Sequence, residues 1–360
     1  MYLFIIQEKS MIFGSDNWAG AAPEISEALM RHSNGLAVAY GDSDLDKSIE
    51  QRFNEIFETD CAVYFVGTGT AANSLAIAAT MKPGGIILCH DEAHVIANEG
   101  GAPEFLSGGG RLSPVGGKHG KIDPQLLTKA ASDFPQDFNH LGQATMVTIT
   151  QSTEAGTVYS LDEISALSNV TKKNNIPLHM DGARFANALV KLDCTPAEMT
   201  WKRGIDMVSF GATKNGCWCA EALIVFNRDL LSHFHFIRKR SGHLFSKTRF
   251  ISAQFEAYLE NELWLKLATH SNAMGEQLEH AIRDSNHIRL AWPTDSNQVF
   301  FIANKTKAQT WLESGARFHP FPTPKGMEDD VTENEHIYRL VTSFITQQND
   351  IDDLVKIISN

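Results

Sequence analysis

Cysteine is scarce in this chain, which has five in 360 residues. They are Cys61, Cys89, Cys194, Cys217 and Cys219. An odd and scattered set gives no disulfide framework, and the close spacing of Cys217 and Cys219 is poor for a zinc knuckle. We therefore expect all of these thiols to be reduced, which favours a cytoplasmic location.

Long apolar runs are also lacking. Residues 1–10 include a short one, but neither a basic segment nor a small-residue cleavage site accompanies it. The run is too short to cross a bilayer. We expect no secretory leader and no membrane partner, and Met11 is a candidate for the true start of the native chain.

Positive charge is in deficit, because 31 basic residues face 43 acidic ones and the formal net charge is -12. This balance argues against nucleic acid as a partner, although it leaves room for a local basic pocket that binds a phosphate. With 43% hydrophobic and 21% charged residues, the composition is that of an ordinary globular protein. We place a large domain at residues 11–258 and a small one at 259–360, and residues 11–30 are candidates to pack with the small domain.

Three charged side chains are predicted beside the ends of sheet strands. Ile176–Leu178 is typical of the end of a short buried strand, and Asp181 and Arg184 follow it. A second strand, Met207–Phe210, precedes Lys214. Open α/β sheets bind ligands at the carboxyl ends of their strands. A lysine that can attach an aldehyde, a carboxylate for a ring nitrogen and an arginine for a substrate carboxylate suit a pyridoxal phosphate (PLP) site. Each of these signals also has an ordinary explanation. Asp-Gly after a strand is often only a turn, and a lone lysine is usually a solvated side chain.

A predicted anion cradle lies earlier in the chain. The strand Ala62–Val66 leads into the Gly/Thr-rich turn Gly67–Asn73, and a helix follows through Met81. Free backbone N–H groups and the helix dipole favour an anion there, and the hydroxyls of Thr68 and Thr70 add donors. The spacing matches neither a P-loop nor a dinucleotide fingerprint. An ordinary strand-to-helix turn with threonine caps is the alternative.

Histidines and acids cluster after the next predicted strand. His90, Asp91, Glu92, His94 and Glu99 lie within a short span. A histidine here is placed to stack on a cofactor ring. A metal site is the rival interpretation, but the H-E-x-x-H helix pattern is absent. In the third interpretation, these are polar side chains on the protein surface that belong to no site.

Later segments complete the sheet and add a small domain. Met146–Thr150 is a β-branched strand with Thr153–Gly156 at its end, and Glu221–Phe226 is predicted as an antiparallel or edge strand that closes the sheet. The strands Gln298–Ile302 and His336–Phe344 indicate a small α+β tail. Helices are predicted at Leu161–Asn174, Asp229–Arg240, Phe250–Leu265, Asn272–Asp284, Ala308–Gly315 and Asp350–Ile358.

Two cationic features have open interpretations. Arg238–Arg240, with Lys247 and Arg249, is the most basic patch of the chain, and it either reaches a phosphate across a dimer interface or forms a solvated face. Arg339 lies inside an apolar strand. An arginine there needs a partner unless it faces outward from an edge strand.

The chain resembles the low-specificity L-threonine aldolases, in the β-eliminating-lyase branch of fold-type-I PLP enzymes. The resemblance extends from about Gly14 to the C-terminus. Its most specific segments are Thr68-Gly69-Thr70, His94 with Glu99, Asp181-Gly182-Ala183-Arg184, Thr213-Lys214 and Arg339-Leu340-Val341-Thr342. It implies an α/β fold with a large, mixed, mostly parallel sheet, helices on both faces and a small C-terminal α+β domain. It also implies a homodimer or homotetramer with active sites at the subunit interface.

The resemblance implies a role for each matching residue. Lys214 would attach the cofactor covalently, Asp181 would pair with the ring nitrogen, and His94 would stack on the ring. The phosphate would be held by Thr68, Gly69, Thr70 and Lys247, the last from a neighbouring subunit. The substrate carboxylate would be bound by Ser15, Arg184 and Arg339, with Arg184 also belonging to the cofactor pocket.

The sequence departs from the family in one place. Many members carry a histidine after the strand that ends at Thr150, near the substrate hydroxyl, whereas Glu154 stands there in this chain. A related subgroup has a histidine upstream, which His140 matches. The base that takes the hydroxyl proton is therefore left open between His94, His140, Glu154 and a water.

The expected reaction is retro-aldol cleavage of L-threonine, L-allo-threonine and related β-hydroxy-α-amino acids to glycine and an aldehyde. β-Elimination or hydroxymethyl transfer on the same fold is the alternative, because a fold does not fix a reaction. A non-catalytic fold relative is a third interpretation. Lys214 argues against it, since loss of that lysine would be its expected mark.

Overall fold

The computed structural model describes residues 11–135, 138–285 and 287–358. The expectation of no leader in residues 1–10 lies outside these ranges. The chain divides into a large unit, Gly20–Lys266, and a small unit made of the described residues up to Ala19 and from Leu267 onward. The boundary placed from the sequence, after residue 258, lies eight residues before this division.

The regular elements follow one another in the order of an alternating α/β chain. The strands are β1 Met11–Ile12, β2 Ala62–Val66, β3 Gly85–His90, β4 Arg111–Val115, β5 Gln143–Thr150, β6 Leu178–Gly182, β7 Met207–Gly211, β8 Glu221–Val225, β9 Ile288–Leu290, β10 Gln298–Asn304, β11 Ala316–Arg317, β12 His319–Phe321 and β13 Glu335–Val341. The helices are α1 Pro23–Arg31, α2 Asp44–Phe57, α3 Gly69–Thr80, α4 His94–Ala97, α5 Ala102–Leu106, α6 Pro124–Ser132, α7 Leu161–Lys173, α8 Phe185–Leu192, α9 Pro196–Met199, α10 Phe234–Arg240, α11 Arg249–Leu259, α12 Leu263–Arg283, α13 Lys305–Glu313 and α14 Gln348–Ile358.

The large unit is built on a seven-stranded sheet, counted over the described residues, in the order β2-β8-β7-β6-β5-β3-β4. The strands from β7 to β4 pair in parallel, while β8 is antiparallel to both of its neighbours. This confirms the predicted large, mostly parallel sheet. The prediction for β8 is right about its direction, but β8 lies inside the sheet and β2 takes the edge.

Helices cover both faces of this sheet. Side chains of Met207 and Phe210 point to opposite faces of β7, because successive strand residues alternate. Met207 packs with Leu75 of α3 in one buried cluster. Phe210 meets Phe53 of α2 and Phe255 of α11, with ring centroids 5.2 Å and 6.1 Å away. Every residue of β3, β6, β7 and β8 is buried, as expected for strands with helices on both sides.

Some predicted element bounds need correction. The strand β6 runs through Gly182, so Asp181 belongs to the strand instead of following it. The second turn of the predicted helix 229–240 is interrupted, and α10 begins at Phe234. The break between the two long helices lies at residues 260–262, where Asn261 has a left-handed backbone, and α12 continues unbroken across residues 266–271.

The small unit carries its own antiparallel sheet, in the order β12-β13-β10-β9, with a buried cluster formed by this sheet and by α12, α13 and α14. This confirms the small α+β domain. Arg339 lies on β13, which is flanked by β12 and β10. The interpretation of Arg339 as an edge residue is therefore wrong. Across the described parts of the chain, no helix is long and apolar enough to span a membrane.

Candidate functional site

The carboxyl ends of three parallel strands meet at one edge of the large sheet. Thr150 of β5 pairs with Asp181 of β6, and Asp181 pairs with Ser209 of β7. The antiparallel strand β8 begins at the same edge, where Glu221 is paired with Val66 of β2 and Gly211 of β7. The residues that follow or start these strands are thereby collected along one side of the sheet.

Asp181 is the buried carboxylate of this edge, with 3% of its surface exposed. Its Oδ2 accepts a hydrogen bond of 2.9 Å from Nδ2 of Asn73, and its Oδ1 accepts one of 3.0 Å from the backbone N–H of Ala183. Burial raises the pKa of Asp181, and the charge of Glu99 raises it further, whereas Lys214 and His94 lower it. A cation brought to this carboxylate would offset the cost of burying its charge.

Lys214 lies on the turn that follows β7, in the short 3₁₀ segment Thr213–Asn215. Its side chain is half-buried, and its charge lowers the pKa of both Asp181 and Glu221. Glu221 is buried, and burial raises the pKa of its carboxyl to about 7. The amine of Lys214 thus shares the sheet edge with two carboxyl groups from neighbouring strands.

The predicted anion cradle is present at the start of α3. Thr68 caps the helix, and its hydroxyl oxygen accepts a hydrogen bond of 3.1 Å from the N–H of Ala71. Gly69 begins the helix, and Thr70 follows in its first turn. A Cβ built on Gly69 would lie 4.0 Å from Oε2 of Glu221, so this helix start and the first residue of β8 are close neighbours.

The predicted phosphate ligand Lys247 is exposed, two residues beyond Phe245, whose ring would lie 3.2 Å from a Cβ on Gly67. The segment with Lys247 therefore passes beside the turn before α3 in the same chain. Arg238 of the basic patch is buried, and its guanidinium donates a hydrogen bond of 2.9 Å to the carbonyl oxygen of Phe65. Neither of the two earlier interpretations of the patch applies to Arg238.

His94 begins the short helix α4, and its Nδ1 lies 2.9 Å from Oε1 of Glu99. The hydrogen bond with Glu99 is the largest cause of a raised pKa for His94, and the charges of Glu154 and Asp181 act in the same direction. Within the described ranges, no group of His, Cys, Asp or Glu is arranged to hold a metal ion. Of the cluster of histidines and acids, His94 is held by Glu99, whereas Nδ1 of His90 accepts a hydrogen bond of 3.1 Å from the backbone N–H of Glu92.

Glu154 and Arg184 flank these residues. Glu154 is half-buried, and its charge raises the pKa of both His94 and Asp181, so it faces the same space. Arg184 is buried, with 6% of its surface exposed, and stands at the N-cap position of α8, directly after β6. The structure brings Glu154 and Arg184 to the edge occupied by Asp181.

His140 is the exception among the predicted residues of the large unit. It is exposed and lies three residues before β5 begins. Thr150 ends this eight-residue strand, so its two ends are roughly 23 Å apart. The structure therefore does not bring His140 to the other residues, because a loop that enters a parallel strand lies at the amino edge of the sheet.

Ser15 and Arg339 belong to the small unit. The hydroxyl oxygen of Ser15 accepts a hydrogen bond of 3.1 Å from the N–H of Asn17 and caps the turn Asp16–Trp18. Arg339 is half-buried on the central strand β13. Their roles toward a substrate carboxylate stay predictions.

Two residues at the site were missed by the sequence analysis. Asn73 stands inside an otherwise apolar stretch of α3, and Glu221 begins an otherwise apolar strand. A polar side chain at a buried position needs partners, and that mismatch is the signal that could have found both residues.

Comparison with known proteins assigns the chain to a family. A model of the beta-eliminating lyase family matches residues 13–306. A low-specificity L-threonine aldolase from Pseudomonas sp. is 40% identical over 314 residues, which are 87% of this chain and 90% of that protein. A solved structure of threonine aldolase from Leishmania major superimposes with a TM-score of 0.88 at 28% identity, covering 96% of this chain and 98% of that one. Serine palmitoyltransferase from Sphingomonas wittichii shares the fold, with a TM-score of 0.71 at 14% identity over 96% and 86% of the two chains. The chain therefore belongs to the beta-eliminating lyase family, in the group of the low-specificity L-threonine aldolases.

Proposed function

We propose that this protein is a PLP-dependent aldehyde-lyase that cleaves L-threonine, L-allo-threonine and related β-hydroxy-α-amino acids to glycine and an aldehyde. The observation that carries the proposal is the meeting of Lys214, Asp181 and the start of α3 at one sheet edge, in a chain 40% identical to an L-threonine aldolase. The alternatives of β-elimination and hydroxymethyl transfer share this scaffold, so the product must be measured.

The residues present fit three parts of PLP: its aldehyde, its phosphate and its ring nitrogen. The amine of Lys214 suits the aldehyde, and the N–H groups at Gly69 and Thr70, with the hydroxyl of Thr70, suit the phosphate. The buried carboxylate of Asp181 suits a protonated ring nitrogen, because a cation there offsets the effect of burial on its pKa. When bound, PLP supplies an electron sink for the bond broken at Cα.

The side chains of the site then bind and orient the substrate. We assign the α-carboxylate to Arg184, and the roles of Ser15 and Arg339 toward that carboxylate stay predictions. A fixed carboxylate holds the Cα–Cβ bond in one orientation, which is the main contribution of binding groups to such a cleavage. With PLP bound, Asp181 would hold a proton on the ring nitrogen, and His94 would lie against the ring. Lys247 adds a cation near the phosphate.

Glu154 is our candidate for the group that takes the β-hydroxyl proton, in preference to His140. As that proton leaves, the Cα–Cβ bond breaks and the aldehyde is released. Cα then takes up one proton, which balances the proton lost from the hydroxyl, to give glycine. His94 ranks second, because the hydrogen bond with Glu99 raises its pKa and so favours the protonated form, which cannot accept a proton.

Replacing Glu154 by glutamine is expected to lower kcat by roughly 10²-fold, the usual contribution of a general base. His140→Ala is the control, and we expect its kcat to equal that of the wild type, because His140 lies at the opposite edge of the sheet. Steady-state kinetics with L-threonine measure both. A full-activity Glu154→Gln would assign the proton transfer to His94 or to water.

We also propose a homodimer or homotetramer in the cytoplasm. In the large unit, Met30, Leu36, Val38 and Tyr40 are exposed, and Leu36 is fully so. A run of exposed apolar side chains supports a contact with a second copy. The described cysteines are free thiols, which supports a reducing compartment.

The direct test of the function is product analysis with the PLP-loaded protein. With L-threonine we expect acetaldehyde and glycine in equal amounts, and acetaldehyde is measured by its coupled reduction with NADH. Release of a 2-oxo acid and ammonia in place of an aldehyde would establish β-elimination. If the PLP-loaded protein releases neither an aldehyde nor a 2-oxo acid, the result would favour the non-catalytic interpretation.

A further inference from the structure

A continuous series of hydrogen bonds joins His94 to Asp181 through two residues that have no assigned role. Nδ1 of His94 lies 2.9 Å from Oε1 of Glu99. That oxygen also accepts a bond of 2.8 Å from Nδ2 of Asn73, and the same Nδ2 donates a second bond of 2.9 Å to Oδ2 of Asp181. The amide of Asn73 thus uses both of its N–H groups to hold two carboxylates.

These bonds are shielded from water. The side chain of Glu99 has 0% exposure, and Asn73 and Asp181 are 2% and 3% exposed. Oε2 of Glu99 has no hydrogen-bond partner among the described residues, so this carboxylate is held through Oε1 alone. Because water cannot replace a lost bond here, removing one member leaves a buried polar group unsatisfied.

The charges on this series act on one another. Glu99 raises the pKa of Asp181 and, through its hydrogen bond, that of His94. Groups on neighbouring elements face the same space: Glu154 raises both pKa values, and Lys214 lowers that of Asp181. Asp181 in turn raises the pKa of Glu221. Asp181 and His94 are thus both affected by the carboxylate of Glu99.

We propose that Asn73 and Glu99 are positioning residues that couple Asp181 to His94, so that the group at the ring nitrogen and the group at the ring face gain and lose protons as one unit. This inference rests on the proposed function, which sets Asp181 and His94 against PLP. Asn73 fixes the Asp181 carboxylate, and Glu99 fixes the orientation and tautomer of the His94 ring. Both act through these neighbours.

The first variant is Glu99→Gln, which keeps the shape of the side chain and removes its charge. The visible absorbance of bound PLP is titrated against pH in the holoenzyme without substrate, and kcat is then measured over the same pH range. We expect both midpoints to move to lower pH by about one unit, because loss of a nearby negative charge makes the remaining protons easier to remove. Glu99→Asp keeps the charge and should retain the wild-type midpoint with a lower kcat.

The second variant is Asn73→Ala, with Asn73→Ser as a milder form if the first does not fold. We expect its midpoint to move to higher pH, because the carboxylates lose a donor that favours their charged form. In the variant that carries both changes, the two shifts should not add, since Glu99→Gln removes the charge that acts along the series and Asn73→Ala removes the bonds that join Glu99 to Asp181.

A matched control is available in another histidine–glutamate pair. Nε2 of His32 lies 2.9 Å from Oε2 of Glu256, outside the site, so Glu256→Gln should titrate as the wild type does. A folded, PLP-loaded Glu99→Gln with the wild-type midpoint would refute the coupling, whatever its kcat, as would additive shifts in the variant that carries both changes. A wild type that releases no aldehyde would refute the proposed function instead, while the absorbance titration still tests the coupling.

Discussion

Lys214→Ala is expected to abolish aldehyde release, with a fall in kcat on the order of 10⁴-fold or more. Losses of this size are typical when the residue that forms a covalent bond in catalysis is removed. Lys214 is the lysine of the turn after β7, and it shares the sheet edge with Asp181 and Glu221. In the proposed role of Lys214, loss of its amine would remove the covalent attachment of PLP to the chain. We therefore expect the visible band of bound PLP to be replaced by the spectrum of the free aldehyde.

Two measurements check this expectation. Absorbance before and after dialysis reports attachment of PLP, and the coupled NADH assay reports aldehyde release. Lys121→Ala is the control, because Lys121 pairs with Glu163 at 3.0 Å and is no part of the site. A Lys214→Ala protein that retained more than about a tenth of the wild-type kcat would contradict the assignment of this lysine.

Asp181→Asn is expected to lower kcat on the order of 10³-fold, while leaving KM for L-threonine within a few-fold of its original value. The asparagine retains the size of the side chain but carries no charge to hold a proton on the ring nitrogen. Substrate carboxylate binding depends on other residues, so the loss falls on the chemical step. The cofactor should still bind, because Lys214 and the start of α3 are unchanged.

The same strand offers a control for this substitution. Oδ2 of Asp206 accepts a hydrogen bond of 2.9 Å from the N–H of Leu178, at the amino end of β6. Asp206→Asn changes a carboxylate at the other end of the strand, so we expect lower thermal stability with an unchanged kcat in the folded fraction. An Asp181→Asn enzyme within tenfold of the wild-type kcat would show that the ring nitrogen does not depend on this carboxylate.

Much of the scaffold was predictable because its signals are local. Ala62–Val66 and the helix after it follow from an apolar run, a Gly/Thr turn and a helix cap, all within one short stretch. Buried strands such as β7 are continuous apolar runs, since helices cover both sides of the sheet. The positions of Asp181 and Lys214 follow from the same reasoning, because carboxyl ends of parallel strands share an edge.

The ends of the helices were harder to predict from the sequence than the helices themselves. The break between α11 and α12 lies at Asn261, whose backbone is left-handed, a conformation that asparagine adopts more readily than most residues. The apolar spacing on either side continues through this point. Periodicity therefore indicated two helices but misplaced the gap between them.

The sequence by itself determined the fold class, the anion cradle at Thr68 and Gly69, and the lysine and carboxylate of the site, because each depends on neighbouring residues and on strand direction. Tertiary structure alone decided which distant side chains meet. Asn73 lies 108 positions from Asp181 and 26 from Glu99, yet it bonds to both, since α3 packs over the strand ends. His140 was a candidate only through the resemblance to a related subgroup, and its position just before β5 places it at the amino edge of the sheet. Such contacts depend on register and packing across the whole sheet, which no local pattern contains.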